Sequence, residues 1–354
     1  MKIEKTMEEK SFKILSIDGG GIRGIYPARL LTELEEEINH NCSEKKNICD
    51  YFDLICGTST GGIISLGLAL GMSAQDILLL YRENAKKIFP GRPGILSYLR
   101  KPKYPNEYLY SLLKKTFQPL SKTGDTRLGH SRTRVCIPTF NAYLGKAHVY
   151  KTAHHPDLKR DYQIPAHDVA LSTASAPIFF KPHSFKYKHV RGENEICVNH
   201  NVDGGIIANN PTLIGIIEAH CALDVPLEEI KVLSLGTGHL KFSETLNPHQ
   251  FGIMYWLKRQ RVFEMIFSAQ AQNTDNTVKF LASGLGHTSN SRFFYKRVQY
   301  DFQKGESIDM DESAENKITQ LEDIGVQSFK EHGAEIVKEF FVRQKREYKP
   351  LKQI

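Results

Sequence analysis

The chain has 354 residues, with 47 Lys and Arg against 40 Asp and Glu, a formal charge of +7, and 40% hydrophobic residues. That hydrophobic share excludes disorder as the main state, and so dilute a positive charge does not define a DNA or RNA binder, though it suits contact with anionic phospholipid surfaces. The length fits two domains or one large α/β domain.

Residues 1–13 mix acids and bases without an apolar run, so no secretory signal is expected and the expected compartment is the cytosol. Short apolar runs at 12–17, 52–56, 134–140, 147–152, 195–202 and 231–235 read as buried strands. Residues 26–38 repeat apolar positions at helical spacing, and 210–223 do so again with Pro211 at the expected first helical position. Residues 54–75 lack Asp, Glu, Lys and Arg, yet turn residues fill the first part, leaving 63–70 as a buried core helix and not a membrane span. Residues 90–105, with four prolines, read as a surface loop or lid. After Gly238 long helical segments follow, interrupted by a strand-like run at 292–302. The expected fold is α/β in three layers, a mostly parallel central sheet with helices on both faces and a helical C-terminal portion. The expected division is a core at 12–238 and a C-terminal extension at 239–354 that packs on it, a regulatory role being open.

Three motifs sit at strand ends. Asp18-Gly19-Gly20-Gly21-Ile22-Arg23-Gly24 lies between a strand and a helix, where bare backbone N–H groups and a helix N-terminus make an anion cradle. The same letters contain a dinucleotide-binding spacing, but the acids at the required offset, Glu35, Glu36 and Glu37, fall inside a helical pattern. Gly57-Thr58-Ser59-Thr60-Gly61 joins the strand at 52–56 to the apolar helix, as a nucleophile elbow does, which makes Ser59 the candidate nucleophile. Alone it could equally be a turn that caps a helix. The candidate base is Asp203 in Val202-Asp203-Gly204-Gly205; His183, His200, His220, His239 and His287 also follow Ser59, none in a recognisable catalytic setting.

In this order, and with Asn209-Asn210-Pro211 after the third, the motifs resemble the patatin-like phospholipase family over roughly residues 12–238. Ser172-Thr-Ala-Ser-Ala-Pro177 and Leu233-Ser-Leu-Gly-Thr-Gly238 match as well. The resemblance implies a lipid acyl hydrolase with a Ser59–Asp203 dyad in place of a triad. Ser59 attacks the ester carbonyl, Asp203 takes the hydroxyl proton, the Gly19, Gly20 and Gly21 amides hold the oxyanion, and Arg23 adds positive charge. Gly24, Gly57, Gly61, Gly204 and Gly205 complete the motifs. No metal or catalytic cofactor is implied, because backbone donors polarise the carbonyl. Asp18 is expected to fix the glycine loop through its carboxylate, and Ile178, Phe179 and Phe180 are expected in the acyl pocket wall.

Compact proteins of this build resemble anti-phage effectors switched on by a cyclic dinucleotide or oligonucleotide. On that resemblance the enzyme acts at the inner face of the cell membrane, through peripheral contact, with a cyclic nucleotide as ligand; a homodimer is left open. The C-terminal Arg292, Lys296, Arg297, Lys338, Arg343, Lys345 and Arg346, with Phe293, Phe294, Tyr295 and Tyr300, read either as a nucleotide surface or as a charged face over packed aromatics. A constitutive esterase and a non-catalytic nucleotide-binding module are the alternatives. Cys42, Cys49 and Cys56 recur every seven residues near His40, but the segment runs from loop into strand, so zinc is not expected.

Overall fold

The computed structural model describes residues 11–40, 42–91, 101–240, 261–283, 292–303 and 306–354. Its strands are β1 (Phe12–Ile17), β2 (Leu54–Gly57), β3 (Arg134–Asn141), β4 (Lys146–Lys151), β5 (His183–Lys188), β6 (Glu195–Asp203), β7 (Ile230–Leu235), β8 (His239–Leu240), β9 (Phe294–Val298) and β10 (Asp301–Phe302). Its helices are α1 (Ile25–Asn39), α2 (Thr60–Ala69), α3 (Ala74–Ile88), α4 (Glu107–Phe117), α5 (Ala166–Ala174), α6 (Gly205–Ala208), α7 (Thr212–Ile217), α8 (Arg261–Ser283) and α9 (Glu315–Ile336).

The main sheet runs β5-β6-β3-β2-β1-β7-β9, with β4 on the other edge of β3. Strands β3, β2, β1, β7 and β9 are parallel, and β4, β5 and β6 add antiparallel pairs at one side. Alternation along the buried strands separates two cores. Leu15, Ile17, Leu233 and Leu235 pack with α1, α2 and α9 on one face; Ile14, Leu54, Val232 and Ile230 pack with Ile216 of α7 and Val278 of α8 on the other. This is the three-layer arrangement expected from alternating strand and helix patterns.

One feature of the register decides where the chemistry sits. Residues 134–136 of β3 pair with β2 and residues 139–141 pair with β6, while β4 covers 136–141 from the opposite side. Strands β2 and β6 therefore share one edge of β3 and run toward each other. Their C-terminal ends, each carrying one strand-end motif, meet head to head.

The sheet continues past Gly238. Strand β9 pairs in parallel with β7, and Ser328 of α9 donates to the Tyr26 hydroxyl of α1 at 3.1 Å. The side chain of Arg297 in β9 is only 8% exposed and holds the buried Asp18 carboxylate, with Nη1 to Oδ1 at 2.9 Å. So Asp18 is structural, as expected, but its carboxylate anchors the C-terminal segment and not the glycine loop. Arg297→Ala strands a buried carboxylate, and urea unfolding should show a loss of about 3 to 5 kcal/mol; an unchanged midpoint would contradict the pair's role.

Two local expectations differ from the structure. Pro211 is the N-cap of α7, one position before the helix, and 218–222 continue as a π-helical turn. Strand β5 was not anticipated, because its HSFKYK alternation is half polar and lacks the apolar run of a buried strand. Of the expected loop at 90–105, residues 92–100 lie outside the described residues; Lys103 and Tyr104 bond the backbone of Ile178 and Phe179.

Candidate active site

Ser59 stands between β2 and α2 with φ 54° and ψ −122°, a conformation that side chains rarely adopt. The strain is maintained by its surroundings: the Ser59 N–H donates to Thr173 Oγ1 at 3.0 Å, and Thr173 in turn donates to the Pro138 carbonyl at 2.6 Å. Gly57 ends β2 and Gly61 begins the first turn of α2. A Cβ on Gly61 would lie 2.2 Å from the Ile17 carbonyl oxygen, so only glycine lets α2 start this close to β1. These contacts are those of a nucleophile elbow.

Asp203, at the end of β6, is almost fully buried. Its N–H donates to the Ser175 carbonyl, Gly204 donates to Thr173, and Oδ1 accepts from the Gly205 N–H at 2.7 Å. Oδ2 has no partner at full hydrogen-bond geometry and is left for the Ser59 hydroxyl, which lies near enough to hold the pKa down. Burial dominates and lifts the carboxyl from 3.8 to about 7, against the opposing pull of Ser59 and Gly205. A carboxylate of ordinary pKa is a poor base toward a hydroxyl; one near 7 is matched to the task. Hydrolysis of a small soluble ester should therefore rise with pH about a midpoint near 7, since the base must be ionised. A rate flat from pH 5 to 9 would contradict this assignment.

The glycine loop is divided in its duties. Gly19 donates its N–H to the Asn209 carbonyl at 3.0 Å, so it is not free to hold an oxyanion, contrary to expectation. Gly20 and Gly21 line the cavity that contains Ser59 and Asp203, and among the described residues their N–H groups meet no acceptor. Gly24 closes the turn against Thr60. Arg23 also departs from expectation: its Nη2 pairs with Glu264 of α8 at 3.1 Å, and it lines a separate polar cavity with Asp18, Gly19 and Thr237. Its Nε and Nη1 are buried without partners.

The Ser59 cavity is walled by Ile63, Tyr81, Phe89, Leu109, Phe179 and Phe180. Phe179 and Phe180 are thus where they were expected; Ile178, at φ 71°, is not part of that wall. No histidine lines it among the described residues. His183 bonds the Asp168 carboxylate at 2.8 Å, His220 the Val225 carbonyl and His239 Gln272, while His200 turns out at φ 54° and His287 lies outside the described residues.

Asn209 was legible only as part of a motif, and the structure makes it a junction. Its carbonyl accepts from Gly19, its Nδ2 donates to the Gly19 carbonyl at 3.4 Å, and the preceding Ala208 carbonyl accepts from Thr58 Oγ1 at 2.6 Å. Glycine loop, elbow and aspartate turn are tied together there.

The C-terminal basic and aromatic run is largely packed. Phe293 is buried, Phe294 meets Phe340 edge to face, the Tyr295 hydroxyl donates to Asp275, Tyr300 donates to Glu306, and Lys296 pairs with Glu335. Arg292, Lys338, Arg343 and Arg346 remain exposed. Metal-ligating side chains converge, among the described residues, at Cys136, His154 and Glu218 and not at Cys42, Cys49 and Cys56. There Glu218 already bonds His154 at 2.8 Å and Lys151.

A strained elbow serine, a buried carboxylate of raised pKa and an apolar cavity, set at the strand ends of a three-layer α/β protein, define a serine hydrolase of lipid esters. The family model for patatin-like phospholipase matches residues 15–216. Patatin-like protein 2 of Arabidopsis thaliana is 33% identical over 330 residues, covering 84% of this chain and 78% of the relative. Proteins named cGAMP-activated phospholipase are 37% identical over 252 residues in Vibrio cholerae serotype O1 and 35% over 237 residues in Escherichia coli strain TW11681. These two alignments cover 64% and 65% of this chain, and 64% and 63% of the relatives. The chain belongs to the patatin-like phospholipase family and is a lipid acyl hydrolase.

Proposed function

We propose that the chain cleaves fatty acyl esters of membrane phospholipids through Ser59 and Asp203, and that a cyclic dinucleotide switches it on. The observation that carries the chemistry is the meeting of these two side chains at an apolar cavity beside the unoccupied N–H groups of Gly20 and Gly21. Ser59 Oγ attacks the ester carbonyl while its proton passes to Asp203. The oxyanion takes the two N–H groups, a donor of this kind typically lowering the barrier by about 2.7 to 4 kcal/mol. The intermediate collapses as Asp203 returns the proton to the leaving alkoxide. Asp203 then takes a proton from water as its oxygen attacks the acyl-serine carbonyl, and returns that proton to Ser59 Oγ as the acyl C–O bond breaks, releasing the fatty acid and restoring both groups. The acyl chain occupies the apolar cavity.

The relatives named for cGAMP support the switch and, with it, a cytoplasmic effector that meets the inner membrane surface peripherally. Among the described residues no helix is long and apolar enough to cross a membrane, in keeping with peripheral contact. One observation favours an ungated enzyme: the plant relative aligns over more of this chain than the cGAMP-activated ones do. Liposome hydrolysis with and without cGAMP separates the two. Fatty acid release rising by up to about a hundredfold with cGAMP is expected, as when the active state moves from about 1% to about 99% of molecules, a shift that takes about 10⁴-fold tighter ligand binding to that state. Full release from nucleotide-free protein would leave the ungated enzyme.

A further inference from the structure

Helix α8 lies outside the segment matched by the family, yet one of its side chains touches the backbone that holds the catalytic aspartate. Gln270 accepts from the Asn209 N–H through Oε1, and its Nε2 reaches the Ile206 carbonyl at 3.3 Å. Because an N–H can only donate, the first contact fixes which end of the amide faces which partner. Ile206 lies within the short helix α6 and Asn209 caps its C-terminal end, while the first residue of α6, Gly205, donates to Asp203 Oδ1. Asn209 is also the acceptor of the Gly19 N–H. A second α8 residue, Phe267, packs close to Gly205 and lines both the apolar and the polar cavity.

We infer that Gln270 is a positioning residue: by clamping α6 at Ile206 and Asn209 it holds the Asp203 turn and the glycine loop in reacting register, so that placement of α8 sets catalytic competence. This rests on the Ser59–Asp203 assignment. Gln270 touches neither Ser59 nor Asp203, and it acts through two backbone groups whose displacement carries the Gly205 N–H away from the carboxylate. Small misplacements of this kind are enough to lower turnover by about a hundredfold. They also alter the base itself, since the Gly205 N–H is one of the two contacts holding the Asp203 pKa down against burial. Loosening it moves the apparent pKa upward.

The test uses the full chain with p-nitrophenyl butyrate, cGAMP present in every arm, and the variants Gln270→Ala, Gln270→Met and Ser59→Ala. Methionine keeps the length and much of the packing of glutamine but makes neither hydrogen bond. Both Gln270 variants should lose about tenfold to a hundredfold in kcat with KM within about twofold, and their pH midpoint should move above that of the wild type. A Gln270→Met protein with wild-type kcat and midpoint would overturn the inference. So would a loss of activity with an unmoved midpoint and a raised KM, which marks packing damage. If Ser59→Ala retains activity, the assignment of the dyad fails instead; if only Ser59→Ala is dead, the dyad stands and the clamp falls.

Discussion

Ser59→Ala is expected to abolish fatty acid release from liposomes by at least about a thousandfold while leaving the fold intact. Only Oγ is removed, and the turn is held by Gly61 against Ile17 and by the Ser59 N–H on Thr173, neither of which uses the hydroxyl. Removing a nucleophile that works as a unit with its base costs nearly all of the activity that the pair supplies. The polar side chains around the cavity offer no second route: among the described residues no histidine lines it, and Asp203 is its carboxylate. Residual turnover should be insensitive to a further Asp203→Asn change, because the aspartate has no proton to accept once Oγ is gone. Fatty acid release within tenfold of wild type would place the nucleophile elsewhere.

Asp203→Asn is expected to be nearly as inactive and, at alkaline pH, more stable than the wild type. The carboxyl is raised from 3.8 to about 7, so the folded state holds its proton more tightly than the unfolded state does. Stability contributed by this group is complete below about pH 4, falls as pH rises between about 4 and 7, and stays lost above 7. The full cost of the ionised, buried carboxylate is up to about 4 kcal/mol. Asparagine carries no charge and keeps an oxygen for the Gly205 N–H, so Tm should exceed that of wild type at pH 8 and converge with it at pH 4. A Tm equal to or below wild type at pH 8 would mean that burial does not strain this group.

The layers, the parallel strands and the strand-end positions of Ser59 and Asp203 were legible because each rests on local letters: apolar runs for strands, glycines where backbones touch, and small residues around one serine and one aspartate. What the letters do not carry is who answers whom across the sheet. That β2 and β6 meet head to head on one edge of β3 follows from register, and it alone explains why residues 144 positions apart share a cavity. Gly19, Gly20 and Gly21 are equivalent in sequence, yet the carbonyl of Asn209 takes the first N–H and, among the described residues, the other two meet no acceptor. Arg297 reads as a surface charge, but β9 inserts beside β7 and buries it on Asp18. Gln270 sits in an ordinary polar position of an amphipathic helix, and only the approach of α8 to Asn209 gives it a task. The face of α8 with Glu264, Gln272 and Asp275 lines the polar cavity, whereas Gln270 lies on another side of the helix, where no local pattern marks it.

Ser59 as the reacting group and Asp203 as its base can be tested in one measurement. Labelling the purified chain with a fluorophosphonate across pH 5 to 9 and mapping the adduct by peptide mass spectrometry reads both at once. A single adduct on Ser59 is predicted, absent from Ser59→Ala, forming at a rate that rises about a midpoint near pH 7 and losing that dependence in Asp203→Asn. An adduct on another serine, or Ser59 labelling with the same pH dependence after Asp203 is replaced, would contradict the account.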